Sequence, residues 1–486
     1  MDDDRAGSGD AGEAPDAPGA SAAPGGGGAG PAAGDRPARP GLPRLGRPSR
    51  TWWLVLLAIC VVALGVRVGY TLGWKQVDSI GGDAYYYHRG ANLLADGKGF
   101  VHPYAYDKGI SMPGADHPPG YILVLAVPSL VGLDTILSHQ IVSCLLGVAT
   151  VLLLGLAGRR IAGDRAGLVA AGLGALYPCI WMNDAALMSE TLALLCGVVV
   201  IIAAYRAWDT PTPTRFALAG GAVGLATLAR AEALMLVALL ALPLAAWAPG
   251  LAGLRARAGR FVVAGAATAL MIAPWVVANL VRFEEPATLS TQLGPTLEAA
   301  NCDDTFYGPG TGSWSVGCVT DFGDRDRSVL DKLARDNALD YVDEHRDRLP
   351  AVLAARFVRT FGLGYVQGQI NFDWYAEARP FNASRAGLGS FYVLAVAGIG
   401  GAVVLRRRGI PSFPLTSALV NVAVTVLVFY GSTRFRAPAE PAIVLLAAVG
   451  VDALVARARR PAASSGAAPD PAPDPAPDPV AAAPAG

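Results

Sequence analysis

The sequence predicts an all-α polytopic membrane protein, and its composition and its apolar runs both indicate this fold class. Of its 486 residues, 53% are hydrophobic and only 16% are charged, and the mean hydropathy is +0.39. A soluble domain carries about 25% charged residues, so this chain has too few charges for that class. Long apolar runs recur between residues 52 and 456.

The first apolar run extends from Trp52 to Trp74. Its length, about 23 residues, is enough for a helix to cross the hydrocarbon core of a bilayer. The residues before it lack the order of a cleavable signal peptide, so we expect an uncleaved first transmembrane helix. The same length criterion gives about ten spans in total. The other nine lie near 139–157, 166–183, 190–208, 215–231, 233–249, 261–281, 388–405, 411–430 and 441–456.

Arginine placement predicts the orientation of these spans, because Lys and Arg accumulate in short cytoplasmic loops. If the spans alternate, all the arginine-rich segments fall on one side. These segments are 39–50, 158–165, 206–215, 255–260, 406–408 and 457–460. We therefore expect an even number of spans in the plasma membrane, with both termini in the cytoplasm.

This orientation makes two long segments extracytoplasmic, residues 75–138 and 282–387. In the first, "DAYYYHRGANLLADG" (83–97) predicts a surface helix that ends at Gly97. The run "PPGYILVLAVPSLVGL" (118–133) is apolar but interrupted by prolines, so we expect it to lie at the membrane interface rather than to span.

The two ends of the chain predict disordered cytoplasmic tails, at 1–51 and 457–486, on either side of a transmembrane domain at 52–456. The first tail is rich in Gly, Ala and Pro, and the second contains "PAPDPAPDPAPDP". Neither holds enough large apolar side chains to form a core.

Of the six cysteines, four lie in apolar runs, where a thiol packs as a small hydrophobic group. Cys302 and Cys318 both lie in the second extracytoplasmic segment, in "NCDDTFYGPGTGSWSVGC". An oxidising compartment allows a disulfide between them. Two unrelated free thiols are the alternative.

Acidic and aromatic side chains follow the first span in "GGDAYYYH", where Asp83 precedes three tyrosines that include Tyr86. A carboxylate there can accept a proton from an alcohol, although an Asp before a helix is also a good N-cap. Further along, "GADHPPGY" places Asp116 and His117 before two prolines that fix the backbone. We expect Tyr86, Asp116 and His117 to be substrate-binding residues held at the membrane face. The alternative for Asp116 and His117 is a rigid turn with solvated side chains.

Three more segments place charges at the predicted extracytoplasmic ends of spans. Glu190 in "NDAALMSETL" is a functional candidate, with snorkelling to the interface as the alternative. Arg230 in "LARAEAL" either serves the site or pairs with the neighbouring Glu232. In "YGSTRFRAPAEPA", Arg434 and Arg436 alternate, so on an extended strand both would point the same way and suit a phosphate. Interfacial anchoring is the alternative for these two arginines.

Together these motifs resemble the GT-C glycosyltransferases that use polyprenyl-phosphate sugars, in the branch of the protein O-mannosyltransferases and the aminoarabinose transferases of lipid A. The resemblance covers the layout of residues 52–456. It depends on the order of "GGDAYYYH", "HPPGY", "SETL", "LAR" and "RFRAPAEP" along the chain.

The resemblance implies a sugar transferase with its active site on the extracytoplasmic side. Asp83 corresponds to the catalytic aspartate, a general base in an inverting displacement, and Glu190 to the second acid. Arg230 and Arg434 would stabilise the leaving lipid phosphate, with His117 at a position where relatives often have lysine. A divalent metal on Asp83 and Glu190 is left open by the resemblance. The implied partners are a polyprenyl-phosphate sugar, membrane lipid, and a glycan, glycolipid or protein acceptor.

Two other function classes fit a polytopic protein. A transporter or flippase of lipid-linked sugars would carry charges near the bilayer midplane, whereas here they concentrate at one face. A membrane scaffold would leave the order of the motifs unexplained. Nucleic-acid binding is disfavoured, because the formal net charge is +0 and phosphate binding needs an excess of Lys and Arg.

Overall fold

The computed structural model describes residues 42–43, 45–75, 80–323 and 325–459. Most of the two predicted tails, 1–51 and 457–486, lies outside these residues. The first helix begins at Arg50 and the last ends at Ala458, close to the predicted limits of the transmembrane domain.

The described residues form an all-α fold without a β-strand, which confirms the predicted fold class. Its nineteen α-helices are α1 (Arg50–Tyr70), α2 (Gly82–Ala95), α3 (Pro103–Tyr106), α4 (Gly120–Ser129), α5 (Ile136–Ala162), α6 (Asp164–Leu176), α7 (Pro178–Asp184), α8 (Glu190–Asp209), α9 (Pro213–Ala229), α10 (Leu242–Trp247), α11 (Gly253–Arg282), α12 (Leu293–Ala300), α13 (Asp303–Phe306), α14 (Arg327–Glu344), α15 (Leu349–Thr360), α16 (Val366–Glu377), α17 (Phe381–Arg407), α18 (Phe413–Val428) and α19 (Glu440–Ala458). Short 3-10 or π turns lie at Thr71–Lys75, Ala231–Met235, Val237–Ala241, Gly308–Gly310, Val316–Cys318 and Thr433–Ala439.

Within the described residues, six helices are long and apolar enough to cross a membrane, or seven if the bent pair α6 and α7 is one span. They make the chain a multi-pass membrane protein, but the predicted count of about ten spans is not confirmed. The difference comes from short or broken helices. Helix α18 has only 16 residues, and the apolar stretch after α9 passes through 3-10 and π turns before α10.

Hydroxyl side chains determine where several of the long helices begin. The Ser49 hydroxyl accepts a hydrogen bond from the Trp52 amide at 3.1 Å, and Thr135 and Thr212 cap α5 and α9 in the same way. Such caps satisfy amides that the first helical turn leaves unpaired.

The arginine-rich segments lie together at one end of the helical bundle, as the alternation of spans requires. Two contacts join these segments directly, Arg160 with Asp209 and Arg260 with the Pro211 carbonyl. Two more involve residues just beside the segments, Arg165 with Asp452 and Tyr205 with the Pro411 carbonyl. Which side of the membrane this end faces stays a prediction.

Helices α17 and α19 approach each other closely because glycine lies at their contact. A Cβ atom on Gly401 would lie 1.9 Å from the Leu446 carbonyl oxygen, and one on Gly450 would lie 2.2 Å from the Ala397 carbonyl oxygen. Small residues at a helix interface permit this backbone contact. The pair fixes the start of α19, which follows directly on the Thr433–Ala439 turn.

The two long segments between predicted spans pack against each other. Residues 75–138 contain α2, which matches the predicted surface helix at 83–97, and α4, a short helix with Pro128 inside it. Residues 282–387 contain α12 to α16. The Thr291 amide donates to the Ala115 carbonyl at 2.8 Å, which joins the two segments.

Cys302 and Cys318, the predicted pair, form a disulfide in the second segment, with their Cα atoms 6.2 Å apart. The bridge closes the loop between α12 and α14. The other four cysteines are free thiols.

Candidate active site

Three carboxylates and two arginines from distant parts of the sequence meet at the end of the bundle opposite the arginine-rich segments. We name this group the Arg434 cluster. It consists of Asp83, Glu190, Arg230, Glu377 and Arg434. Four of the five were predicted site residues, and the fold brings them together. Glu377 is the member that the sequence did not single out.

Arg434 is the centre of the cluster because its guanidinium contacts three carboxylates. Its Nη2 donates to Asp83 Oδ2 at 2.7 Å, its Nε donates to Glu190 Oε1, and its Nη1 lies 3.4 Å from Glu377 Oε1. Bonds between ions of this kind are about twice as strong as neutral hydrogen bonds.

The predicted extended strand around Arg434 is wrong, and the error matters for Arg436. The segment Thr433–Ala439 is a 3-10 helix. At three residues per turn, side chains two positions apart point in different directions, whereas on a strand they would share a face. Arg436 is therefore not a second arm of the cluster. It is buried, donates to Glu440 Oε1 at 2.5 Å, and lies 3.7 Å from the centre of the Phe391 ring.

Asp83 lies in the first turn of α2 but does not cap it. The N-cap is Gly81, no side chain caps this helix, and Gly82 takes a left-handed backbone conformation with φ +56°. The Asp83 carboxylate lies against Arg434 on one side and 3.3 Å from His117 Nε2 on the other. Its side chain stays 32% exposed. The capping alternative therefore does not describe this residue.

The charges around Asp83 govern its protonation. Burial raises the pKa of the carboxyl group, but electrostatic attraction and hydrogen bonding from His117 and Arg434 outweigh burial and hold it well below its ordinary value. Asp83 is thus ionised at neutral pH. It is in the form that can accept a proton.

Two tyrosines of the "YYY" run make different contacts beside His117. The Tyr87 ring stacks on the His117 ring, with their centres 4.8 Å apart, which fixes the imidazole toward Asp83. The Tyr86 ring meets His117 edge-on, and its hydroxyl accepts from the Asp116 amide at 3.1 Å. Tyr86 therefore holds the loop in this structure rather than lining the open side of Asp83.

Glu190 begins α8 and is fully buried, so the snorkelling alternative does not describe it. Arg230 Nη1 donates to Glu190 Oε1 at 2.6 Å, and Arg230 Nε donates to Glu232 Oε1 at 2.5 Å. Arg230 thus pairs with Glu232, as one of the two alternatives predicted, and also contacts Glu190 in the cluster. Within the part of the chain that the structure describes, Glu190 Oε2 has no hydrogen-bond partner.

Asp116 lies outside the cluster and is fully engaged elsewhere. Arg327 donates to both of its oxygens, at 3.2 and 3.0 Å, His102 Nε2 lies 3.1 Å away, and Thr291 donates at 3.1 Å. Sequence reasoning missed Arg327 and His102. Arg327 lies about 200 residues along the chain from Asp116, and no local pattern marks such a pair.

An apolar cavity that is open on one side reaches the cluster from between α8, α9 and α18. Its walls include Val200, Leu236 and Pro414, and Arg230 lies in its lining. A cavity with apolar walls and an ion at one place suits an amphipathic ligand.

Asp83 and Glu190, the two carboxylates considered for a metal, do not fit an ion as they are arranged. Each already binds the guanidinium of Arg434, which supplies the positive charge at that place. No group of three or more His, Cys, Asp or Glu side chains with metal-binding geometry occurs among the described residues.

Comparison with known proteins supports the resemblance seen in the sequence. Residues 116–277, about a third of the chain, match the family model of dolichyl-phosphate-mannose-protein mannosyltransferases. No curated protein sequence matches this chain.

Two solved structures of AglB show the fold that this chain shares, and ArnT superposes with a lower score. The archaeal oligosaccharyltransferase AglB from Archaeoglobus fulgidus, in complex with an inhibitory peptide and a dolichol-phosphate, superposes with a TM-score of 0.50 at 15% identity over 84% of this chain and 51% of AglB. Its complex with Zn and sulfate gives 0.51 at 14% identity, over 83% and 49%. ArnT from Cupriavidus metallidurans bound to undecaprenyl phosphate gives 0.40 at 14% identity, over 85% and 80%.

At these identities the likeness to AglB establishes the fold alone. The chain spans about half the length of AglB. The predicted GT-C-like fold is therefore confirmed as a fold.

Proposed function

We propose that this protein is a glycosyltransferase that moves a sugar from a polyprenyl-phosphate carrier to an acceptor hydroxyl, at the extracytoplasmic face of the plasma membrane. The observation that carries the proposal is the Arg434 cluster. In this cluster the partly exposed carboxylate of Asp83 and the buried carboxylate of Glu190 contact the same guanidinium, that of Arg434, and Glu190 is also paired with Arg230. A base and a phosphate-binding group are thereby neighbours.

The apolar cavity supports a lipid as the carrier of the sugar. Its walls suit a prenyl chain, and Arg230 in its lining suits the phosphate at the end of that chain. The family model that matches residues 116–277 is named for a donor of this class, dolichyl-phosphate mannose. AglB, which shares the fold, was solved with a dolichol-phosphate.

In the proposed reaction Asp83 takes the proton of the acceptor hydroxyl while the acceptor oxygen attacks the anomeric carbon. The bond between that carbon and the phosphate oxygen breaks, and the lipid phosphate leaves as a dianion. The attack from the opposite face inverts the anomeric centre. Arg434 and Arg230 lie where positive charge can meet the developing negative charge.

Arg434 also couples donor binding to the strength of the base. In the free protein its guanidinium is bound to Asp83 and lowers the pKa of that carboxyl group. A phosphate that binds Arg434 competes for the same N–H groups. Asp83 then loses part of its ion pair, and its pKa rises, so it becomes a better proton acceptor when the donor is in place.

The acceptor approaches from the open side of Asp83. Glu377 borders this region through its contact with Arg434. Burial raises the pKa of the Glu377 carboxyl group against the opposing charges of Arg434 and Arg379.

The test compares Asp83→Asn with the wild type and with Asp107→Asn as a matched control. Asp107 lies in the same long segment and forms an exposed ion pair with Arg89, 2.9 Å away. Transfer of radiolabelled sugar from polyprenyl-phosphate donors is measured on purified protein in lipid nanodiscs. We expect Asp83→Asn to lose roughly 100- to 10,000-fold in turnover with donor binding kept, and Asp107→Asn to keep it.

Equal turnover of Asp83→Asn and wild type would refute Asp83 as the base. If neither protein transfers sugar but lipid-linked sugar crosses sealed vesicles, the protein is a transporter instead.

A further inference from the structure

The loop that the disulfide closes contacts the stretch of chain that leads into Arg434. We name residues 302–318 the disulfide loop and residues 429–432, between α18 and the 3-10 turn, the approach segment. The Gly431 amide donates to the Gly312 carbonyl at 2.8 Å, which joins the middle of the disulfide loop to the approach segment. This bond lies three residues before Arg434.

The approach segment determines where the turn that carries Arg434 begins. Its last residue, Ser432, is fully buried and is the N-cap of this turn. The Ser432 hydroxyl accepts from the Arg434 amide at 3.2 Å. A displacement of the approach segment would therefore displace the backbone of Arg434 as well.

The contact between the disulfide loop and the approach segment leaves no room for side chains. A Cβ atom on Gly431 would lie 2.4 Å from the Arg356 carbonyl oxygen, and one on Gly312 would lie 2.7 Å from the Arg356 amide nitrogen. Gly312 also has a left-handed φ of +77°, which favours glycine. The disulfide loop, the approach segment and α15 thus meet backbone to backbone.

The Arg356 side chain holds the two sides of this contact together. It is buried, and all its hydrogen-bond partners among the described residues are neutral oxygens. It donates to the Ala300 carbonyl and the Asn301 side chain, just before the disulfide loop, and to the Leu427 carbonyl near the end of α18. Burying a charge is unfavourable unless such bonds offset it, so a guanidinium used in this way indicates a positioning role.

A row of aromatic rings connects the disulfide loop to the second phosphate-binding arginine. The Trp314 ring centre lies 6.2 Å from that of Tyr430, and the Tyr430 ring centre lies 4.7 Å from that of Phe435. The Arg230 guanidinium lies 5.4 Å from the centre of the Phe435 ring. The disulfide loop thus reaches neighbours of both Arg434 and Arg230.

We propose that the disulfide loop is a positioning element for Arg434, so that full binding of the lipid phosphate requires the bridge between Cys302 and Cys318. This rests on the proposed function. The bridge limits the conformations open to the disulfide loop. Both cysteines are partly exposed, and the other four are already free thiols, so a reductant changes this pair alone.

The test breaks the bridge in purified protein in lipid nanodiscs. Dithiothreitol is oxidised to its cyclic disulfide, and Cys302 and Cys318 each take up one electron and one proton to become thiols. We expect reduction to weaken binding of dolichyl phosphate roughly 3- to 10-fold. The acid limb of kcat/KM for sugar transfer should move to higher pH, because a displaced Arg434 no longer holds the pKa of Asp83 as low.

The Arg434→Gln protein separates positioning from a purely structural role. A structural role predicts a lower unfolding midpoint on reduction, with lipid binding by the folded protein unchanged. Positioning through Arg434 predicts that reduction no longer weakens dolichyl phosphate once Arg434 is replaced, since two changes that act on one contact are not additive.

Gly431→Ala tests the same contact with the bridge closed, and it decides the question if the reduced protein unfolds. The added methyl group would displace the approach segment and should weaken dolichyl phosphate to a similar extent. Gly317→Ala is the matched control. Gly317 lies in the disulfide loop, and a Cβ atom there would lie 3.6 Å from the nearest atom, Ser315 Oγ, so we expect no change.

Three results would overturn the inference: unchanged dolichyl phosphate binding in a folded, reduced protein, an equal loss on reduction in Arg434→Gln, or wild-type binding by Gly431→Ala. Failure of the proposed function is a separate result, because sugar transfer decides that question and lipid binding decides this one. If the protein transfers sugar but its lipid binding ignores the bridge, only the positioning role is refuted.

Discussion

Asp83 and Asp116 lie 33 positions apart and contact the same types of side chain, yet they differ in their exposure. Each carboxylate contacts one arginine and one histidine: Arg434 and His117 for Asp83, Arg327 and His102 for Asp116. In both, burial raises the pKa and the positive partners lower it further than burial raises it. Protonation state therefore does not distinguish them.

Access distinguishes the two aspartates. The Asp116 side chain is 10% exposed, and each of its oxygens has two polar contacts, whereas each Asp83 oxygen has one. The Asp83 side chain is about three times as exposed. A base needs an open lone pair within reach of the substrate. We infer that Asp116 joins the two long segments, while Asp83 performs chemistry.

The largest effect should come from Arg434→Gln compared with Arg327→Gln. We expect Arg434→Gln to lower turnover roughly 100- to 1,000-fold, because it removes a charged donor from the leaving phosphate. Arg327→Gln should lower thermal stability and keep turnover per folded molecule. Transfer assays and thermal unfolding of both proteins in the same nanodiscs check this. An Arg327→Gln protein that is inactive but fully stable would indicate that Asp116 takes part in catalysis, and would contradict its structural role.

Asp116→Asn should show the reverse of Asp83→Asn. The substitution weakens the charged bonds to Arg327 and His102, each type worth about 1.5–3 kcal/mol, so thermal stability should fall. Turnover normalised to folded protein should stay within a few-fold of wild type. A stable Asp116→Asn protein with altered donor KM would instead support Asp116 as a substrate-binding residue, the role expected from the sequence.

The two histidines provide a finer comparison. His117→Gln should lower turnover about 10-fold, because Asp83 loses the imidazole that Tyr87 holds in place. His102→Gln should act on stability alone. Steady-state kinetics alongside unfolding midpoints separate the two outcomes. Equal kinetic losses for both histidines would contradict the assignment.

The smallest effect concerns pH. Asp83 must be ionised to act as a base, and its pKa lies well below its ordinary value, so kcat/KM for the donor should hold down to acidic pH. If the donor phosphate draws Arg434 away, the pKa of Asp83 rises in the complex. The acid limb of kcat should then lie about 1–3 pH units above that of kcat/KM. Acid limbs of kcat and kcat/KM that coincide would argue against the coupling.

Sequence reasoning predicted the fold class and the residues of the cluster better than it predicted their geometry. The hydrophobic runs fix the long helices. Glu190, Arg230 and Arg434 lie at or next to the ends of apolar helices, and Asp83 follows the first of these helices, so the four residues come to one place. Charged residues near the ends of apolar runs therefore help to predict which residues meet in the cluster.

The errors have physical reasons. Arg436 was misplaced because a prolyl turn before a helix can be extended or 3-10, and local sequence does not decide between them. Glu377 and Arg327 were missed because their partners are remote in sequence. The span count was not confirmed because α18 is short and the stretch before α10 changes helix type, which hydropathy alone does not report.

The glycine contact between α17 and α19 limits how the protein can be engineered. Gly450 lies ten residues beyond Glu440, about 15 Å along a rigid helix whose start follows directly on Arg434 and Arg436. Any side chain at Gly401 or Gly450 would force the helices apart and shift the start of α19.

A mutational library for stability or altered specificity should hold both glycines constant. Diversity belongs on the exposed face of α17, at Val393, Val396 and Ile399, where substitutions meet surroundings rather than the facing backbone. On α17, the packing against α19 decides which substitutions are tolerated. A substitution at this contact would impair the active site even though the two are far apart.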